Sequence, residues 1–165
     1  MYRIKQFIWA LKSEINYEDE IFINKYLNNK ELELFFKLSI MDQKHSLNTA
    51  KDIKKVCEGR NNNLDKNKMI KIALLHDIGK IQYKMNIIEK SLIVILNKLT
   101  KGKIKKYTKV KCINIYYNHP IIGYDLLKQY NYEESFINTI KNHHNNDIIK
   151  DMLELEILRE CDNKN

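Results

Sequence analysis

The sequence predicts an all-α domain of about seven helices. Three observations carry this. Four glycines and one proline in 165 residues are too few breakers for a turn-rich sandwich or barrel. Apolar residues recur at helical spacing in one segment after another. Hydrophobic residues make up 44% of the chain and charged residues 30%, a balance that folds a core in a single domain of this length.

Taken in order, "FIWALKSEI" (7–15) reads as a first helical segment. "YEDEIFINKYL" (17–27) is amphipathic, with acids in its first turn. "ELELFFKLSIMDQKHSLNTAKDIKKV" (31–56) is one long helix, or two with a break near Ser39, and gives way to a loop at Gly59-Arg60-Asn61-Asn62-Asn63. "DKNKMIKIALLHDIGK" (65–80) opens on an Asp cap and ends at Gly79, read as the left-handed C-cap. "NIIEKSLIVILNKL" (86–99) is a strongly apolar helix, followed by a Lys-rich loop or frayed end over 100–109. In 110–130, Pro120 is expected to end one helix at Asn118–His119 and to start another. "YEESFINTIKNHH" (132–144) and "DIIKDMLELEILRECD" (147–162) complete the set.

The net charge is +8 and the pI about 9.2, which fits a polyanionic partner: nucleic acid, an anionic membrane surface or a phosphorylated substrate. The lysines are spread along the chain apart from a modest cluster over 100–111, as abundant Lys, Asn and Ile from an AT-rich coding sequence would give. Arginine occurs only at positions 3, 60 and 159. With no aromatic–basic motif or recognition helix, nucleic-acid binding is disfavoured. Cys57, Cys112 and Cys161 are odd in number and lack C-x-x-C spacing, so neither a disulfide framework nor a zinc ribbon is indicated and a reducing cytoplasm fits. The N-terminal apolar run is too short for a signal peptide, and Leu92–Leu96 is too short to span a bilayer, so no membrane partner is expected.

The five histidines are His45, His76, His119, His143 and His144, each on or at the end of a predicted helix. A lone histidine is more often a surface or core residue than a ligand. Five together, with His76-Asp77 and His143-His144 as adjacent pairs and Asp162 ending the last helix, favour a metal site. Asp77 offers two oxygens, one for each of two metals, and paired metals are a standard device for attacking phosphate esters through a shared water. Lys80 falls three residues after Asp77 and four after His76, where it would bind a substrate phosphate or remain a solvated lysine at a helix C-terminus.

The order His, His-Asp, His, His-His, Asp resembles the HD-domain metal-dependent phosphohydrolase superfamily. The matching segments are "DQKHSLNTAKDI", "ALLHDIGK", "NHPIIGYDLL", "IKNHHN" and "LRECD". The resemblance implies an all-α bundle over 41–165. Residues 1–40 have no counterpart in the family pattern and are expected to form helices that pack on the bundle, make a dimer surface or cover the site. It implies one metal held by His45, His76, Asp77 and Asp162. The two-metal subset adds His119, His143 and His144, with Asp77 bridging and catalytic and Lys80 contacting phosphate. Near Asp162, the acids Asp151, Glu156 and Glu160 stand as surface residues or replacements. The Gly-Tyr-Pro motif of the cyclic-di-GMP phosphodiesterases is missing after His144, and Met41 stands where a third-metal Glu would be, so neither that substrate nor a third ion is expected. The seven-residue set also resembles small stand-alone bacterial enzymes that cleave dinucleoside tetraphosphates. The expected cofactor is a pair of divalent transition metals, Fe, Mn or Co ahead of Mg or Ni. The expected activity is hydrolysis of a nucleotide or related phosphate ester or anhydride. The alternative is a nucleotide-binding regulatory module without turnover.

Overall fold

The computed structural model describes residues 14–59, 64–145 and 152–165. Most of the predicted helix 7–15, the loop at 60–63 and the start of the last predicted helix with Asp151 lie outside the described residues. Eight α-helices occur among the described residues: α1 (Tyr17–Tyr26), α2 (Asn29–Phe35), α3 (Ile40–Gly59), α4 (Lys66–Leu75), α5 (Ile87–Leu99), α6 (Lys111–Leu127), α7 (Glu134–Asn142) and α8 (Leu153–Asp162). Short 3₁₀ turns cover Ile78–Gln82, Lys103–Tyr107 and Lys128–Tyr130.

Helix α4 is the axis of the bundle. Met69, Ile70, Ile72, Ala73, Leu74 and Leu75 are all fully buried. The second half of α4, Ile72–Leu75, is apolar on every side and has to sit inside, while Lys66, Lys68 and Lys71 of its first half reach its margin. Helices α3, α7 and α8 pack against it, and α1 and α2 close the remaining side. Ile23, Leu34, Phe35 and Leu38 belong to the same core as the α4 residues.

Asparagine caps start three of the helices. Asn16, Asn28 and Asn86 each accept from the backbone three residues on, and the acid there, Asp19, Glu31 or Glu89, bonds back to the cap N–H. Two of these acids also cross to another helix. Asp19, 1% exposed, takes Lys44 at 2.6 Å and Lys51 at 2.5 Å, tying α1 to α3. Glu31 takes Lys71 at 2.9 Å and the Tyr132 hydroxyl, tying α2 to α4 and to the segment before α7. Burial raises the Asp19 carboxyl, but Lys44 and Lys51 more than offset it and hold the group below its usual value. A depressed folded-state value gives stability that is fully present above the unfolded value of about 4 and is lost as pH falls from there through the lower folded-state value. Asp19→Asn is therefore expected to cost about 2 kcal/mol at neutral pH and less in acid, as urea melts at the two pH values would read out.

Of the two readings of the 31–56 segment, the broken one holds: it is two helices, separated at Phe36–Ser39, where Ser39 caps α3 by accepting from the Asp42 N–H at 3.3 Å. Two sequence expectations are corrected. Pro120 does not divide 110–130: α6 runs through it. The missing N–H costs the Tyr116 carbonyl its helical donor, and packing of α6 on the Ile78–Gln82 turn and on α7 holds the helix together. Gly79 is not a left-handed cap. Helix α4 ends at Leu75, the chain continues as a 3₁₀ turn, and Gly102 is the glycine with positive φ among the described residues.

What Gly79 supplies is closeness. A Cβ there would lie 2.1 Å from the His119 carbonyl oxygen and 2.8 Å from the Gly123 nitrogen. Both obstacles are backbone, which cannot rotate away. Gly123 meets Gly79 from the other side, with its own Cβ position 3.3 Å from the Gly79 nitrogen. The two glycines of "HDIGK" and "HPIIGYD" thus let the turn after α4 lie on α6. Gly79→Ala is expected to cost about 3 kcal/mol or more. Gly59→Ala, at a site with nothing within 4 Å of the added carbon, is expected to be near neutral. Chemical denaturation of the two variants side by side checks this.

Candidate metal centre

Five separate places in the chain bring their side chains to one point. His45 comes from the second turn of α3, and His76 and Asp77 from the junction after α4. His119 comes from the middle of α6, His143 and His144 from the end of α7, and Asp162 from the last residue of α8. Asp77 sits at φ −94°, ψ 7°, the sparsely populated bridge region common at functional sites. The 3₁₀ turn that follows stacks residues three apart, which sets Lys80 directly over Asp77.

Three histidines are held the same way. Nδ1 of His76 donates to the Ala73 carbonyl at 2.8 Å, that of His119 to Ile115 at 2.9 Å, and that of His143 to Ile140 at 2.6 Å. A carbonyl only accepts, so each Nδ1 carries the proton and each Nε2 faces the centre. His76, His119 and His143 are buried. Their Nε2 atoms, together with Asp77 Oδ1, are buried side-chain atoms without a hydrogen-bond partner. Such atoms are costly to leave unsatisfied unless something else binds them.

The Asp77 carboxylate divides its surroundings. Oδ2 faces His76 Nε2 at 3.6 Å, His45 Nε2 at 3.7 Å and Lys80 Nζ at 2.5 Å. Oδ1 faces His119 Nε2 at 3.1 Å and His143 Nε2 at 3.9 Å. On the first side, Asp162 Oδ1 lies 2.7 Å from His45 Nε2 and 3.4 Å from His76 Nε2. On the second, the His143 and His144 rings are 4.1 Å apart and His144 lies 5.1 Å from the His119 ring. His45, His76 and Asp162 form one group with ligand atoms within 4.8 Å of one another. His119, His143 and His144 form another, and His76, Asp77 and His143 a third between them.

Charge follows the same division. Burial raises the Asp77 carboxyl, yet the Lys80 and His76 charges hold it well below the ordinary range. Burial also raises Asp162, and its bonds to His45 and His76 bring it far down. His76, against its own burial, is drawn up to about 9 by Asp77 and Asp162. On the other side burial pushes His143 well down, and burial with the His119 charge takes His144 to about 4. Neutral imidazoles with inward lone pairs and ionised carboxylates are the donor set of a borderline divalent ion. The residues therefore fit a metal, with His76 giving up a proton on binding.

All seven sequence-derived ligand candidates fall in this cluster. Among the acids weighed against Asp162, Glu156 and Glu160 are exposed. Lys80 is not a solvated helix-end lysine: its side chain is 19% exposed, ion-paired to Asp77 and 3.8 Å from Asp42.

Three further residues bear on the cluster. Asp42 is buried, takes Lys90 of α5 at 2.7 Å and faces Lys80, so it holds that lysine between two carboxylates. Its place one helical turn before His45 is a signal that sequence alone offers. Lys90 offers none. Arg159 of α8 donates to the carbonyls of Asn142, at 2.9 Å, His143, at 3.1 Å, and Asn145, fixing the turn that carries the histidine pair.

In comparison with known proteins, the family model described as HD domain matches residues 43–164. No curated protein and no solved structure matches.

Proposed function

This chain belongs to the HD-domain family, and from that premise we propose that it is a metal-dependent phosphohydrolase acting on a nucleotide or related phosphate ester or anhydride. The observation that carries the reading is the division of Asp77, with one oxygen turned to each histidine group. His45, His76, Asp77 and Asp162 would hold one ion. His119, His143 and His144 would hold a second with the other Asp77 oxygen. Ions bound there lower the pKa of a water and take up charge on phosphoryl oxygens. The nitrogen-rich donor set favours Fe, Mn or Co over Mg.

The chain's own residues do the positioning. The Nδ1–carbonyl bonds fix the ring orientations, so little rearrangement is needed on binding. Lys80 is a compact cation one ion pair away from the site, available to a substrate phosphate when it leaves Asp77. Asp42 keeps it near. Lys80→Ala is expected to lower kcat/KM on the order of a hundredfold while leaving bound metal unchanged, checked by steady-state kinetics beside elemental analysis.

The activity test is a substrate panel on the Mn- or Fe-loaded chain, beginning with dinucleoside tetraphosphates and continuing to mononucleotides and simple phosphodiesters. Hydrolysis that stops on adding chelator is the expected result. A nucleotide that binds and is recovered unchanged would favour the alternative, a regulatory nucleotide-binding module.

A further inference from the structure

Helix α5 is the most apolar of the helices by sequence, yet Ile93 is its one fully sheltered residue. Ile88, Leu92, Ile95 and Leu99 are 74%, 51%, 54% and 73% exposed. At about 100° per residue these four side chains fall within roughly 60° of one another, a single outward stripe. Lys90, which bonds Asp42 beside the metal centre, points the opposite way. Tyr107 and Val110, also about half exposed, follow in the Lys-rich segment after the helix. Four large aliphatic side chains on one outward helix face form the kind of contiguous apolar surface that marks an interaction site.

The charge around it is equally uneven. Residues 84–124 hold nine lysines, no arginine and one acid, Glu89. That is a net +8, the net charge of the whole chain, so the rest is balanced. The lysines look dispersed in sequence because acids are dispersed with them everywhere but here. Seven of the nine lie between positions 98 and 111, and all seven are exposed. Among the described residues none of the seven pairs with a carboxylate. Glu89 already accepts from the Tyr83 hydroxyl and the Asn86 N–H.

We propose that α5 and the Lys-rich segment after it form a docking surface for an anionic phospholipid bilayer, with the aliphatic stripe entering the headgroup region and the lysines on the lipid phosphates. An outward aliphatic stripe beside clustered lysines is the composition of an interfacial helix, and each juxtamembrane lysine adds attraction to an anionic leaflet. A second copy on the same face would set +8 against +8. Nucleic acid would use the lysines but has no place for an aliphatic stripe. That no helix among the described residues is long and apolar enough to cross a membrane is compatible with a surface contact. The proposal is independent of the phosphohydrolase reading.

The test is co-sedimentation of the full chain with phosphatidylcholine vesicles, with and without phosphatidylglycerol, at low and high salt. The chain is expected to pellet with the anionic vesicles at low salt, at least about tenfold more tightly than with neutral vesicles or at high salt. Leu92→Ser combined with Ile95→Ser, both at exposed positions, is expected to weaken that binding about tenfold with helicity by circular dichroism unchanged. No pelleting with anionic vesicles at low salt would overturn the proposal. So would pelleting that the double substitution leaves unaltered, since a generic polyanion contact would then suffice. A dimer by size exclusion that the double substitution splits, with no vesicle binding, would assign the stripe to a second copy instead.

Discussion

Asp77→Ala is expected to abolish the proposed phosphohydrolase activity, by about 10³-fold or more, and to leave the chain without either of the two proposed metal ions. The expectation follows from its two oxygens. Oδ2 lies against His45 and His76, Oδ1 against His119 and His143, so one substitution removes a donor from each group. The residue is 1% exposed and is the main partner of Lys80, so its removal also leaves a buried ammonium without its nearest counter-charge. Asp77→Asn keeps the volume and separates the two effects. It should preserve helicity while losing metal, because an amide is a poor ligand and offers one oxygen. The readouts are elemental analysis of the purified variants and turnover on whichever substrate the native chain hydrolyses. Either variant retaining native metal content would remove Asp77 from the bridging role.

His119→Ala is the second large effect, and it should be asymmetric. His119 touches the Oδ1 side alone, and the opposite group of His45, His76 and Asp162 does not include it. One ion is expected to go and one to stay, with activity falling about a hundredfold or more. Loss of His119 leaves the Ile115 carbonyl without its imidazole donor, a small cost inside a helix. Unchanged metal content and activity would point to a one-metal site. His45→Ala is the mirror experiment, expected to empty the other group.

The side chains that gather at the candidate centre were legible in sequence because histidine is scarce in this chain. Five of them, three adjacent to other ligand-type residues, constrain one another more than any single position does. The start of α1 was legible from the acids of its first turn and that of α4 from Asp65, though not that Asp19 and Glu31 also clamp neighbouring helices through Lys44, Lys51 and Lys71. Gly79 and Pro120 misled for a common reason. A glycine after an apolar helix and a proline between two apolar stretches are local signals for a cap and a break. At both places tertiary contact decides: Gly79 is small because the His119 carbonyl is there, and Pro120 sits inside a helix that packing holds. The residues that position the centre, Asp42, Lys90 and Arg159, act across 48 positions in one case and up to 17 in another, separations that periodicity does not read. Exposure of the α5 stripe was equally invisible, since an apolar helix looks the same in sequence whether its outer face is covered or bare.

One carboxylate serving two metal groups is the central feature of the proposed site. Its most direct measurement is elemental analysis of the full chain, purified without chelator under low oxygen and again after reconstitution with Mn or Fe. About two transition-metal ions per chain are expected. About one would reduce the site to His45, His76, Asp77 and Asp162, and none after reconstitution would contradict the metal centre altogether.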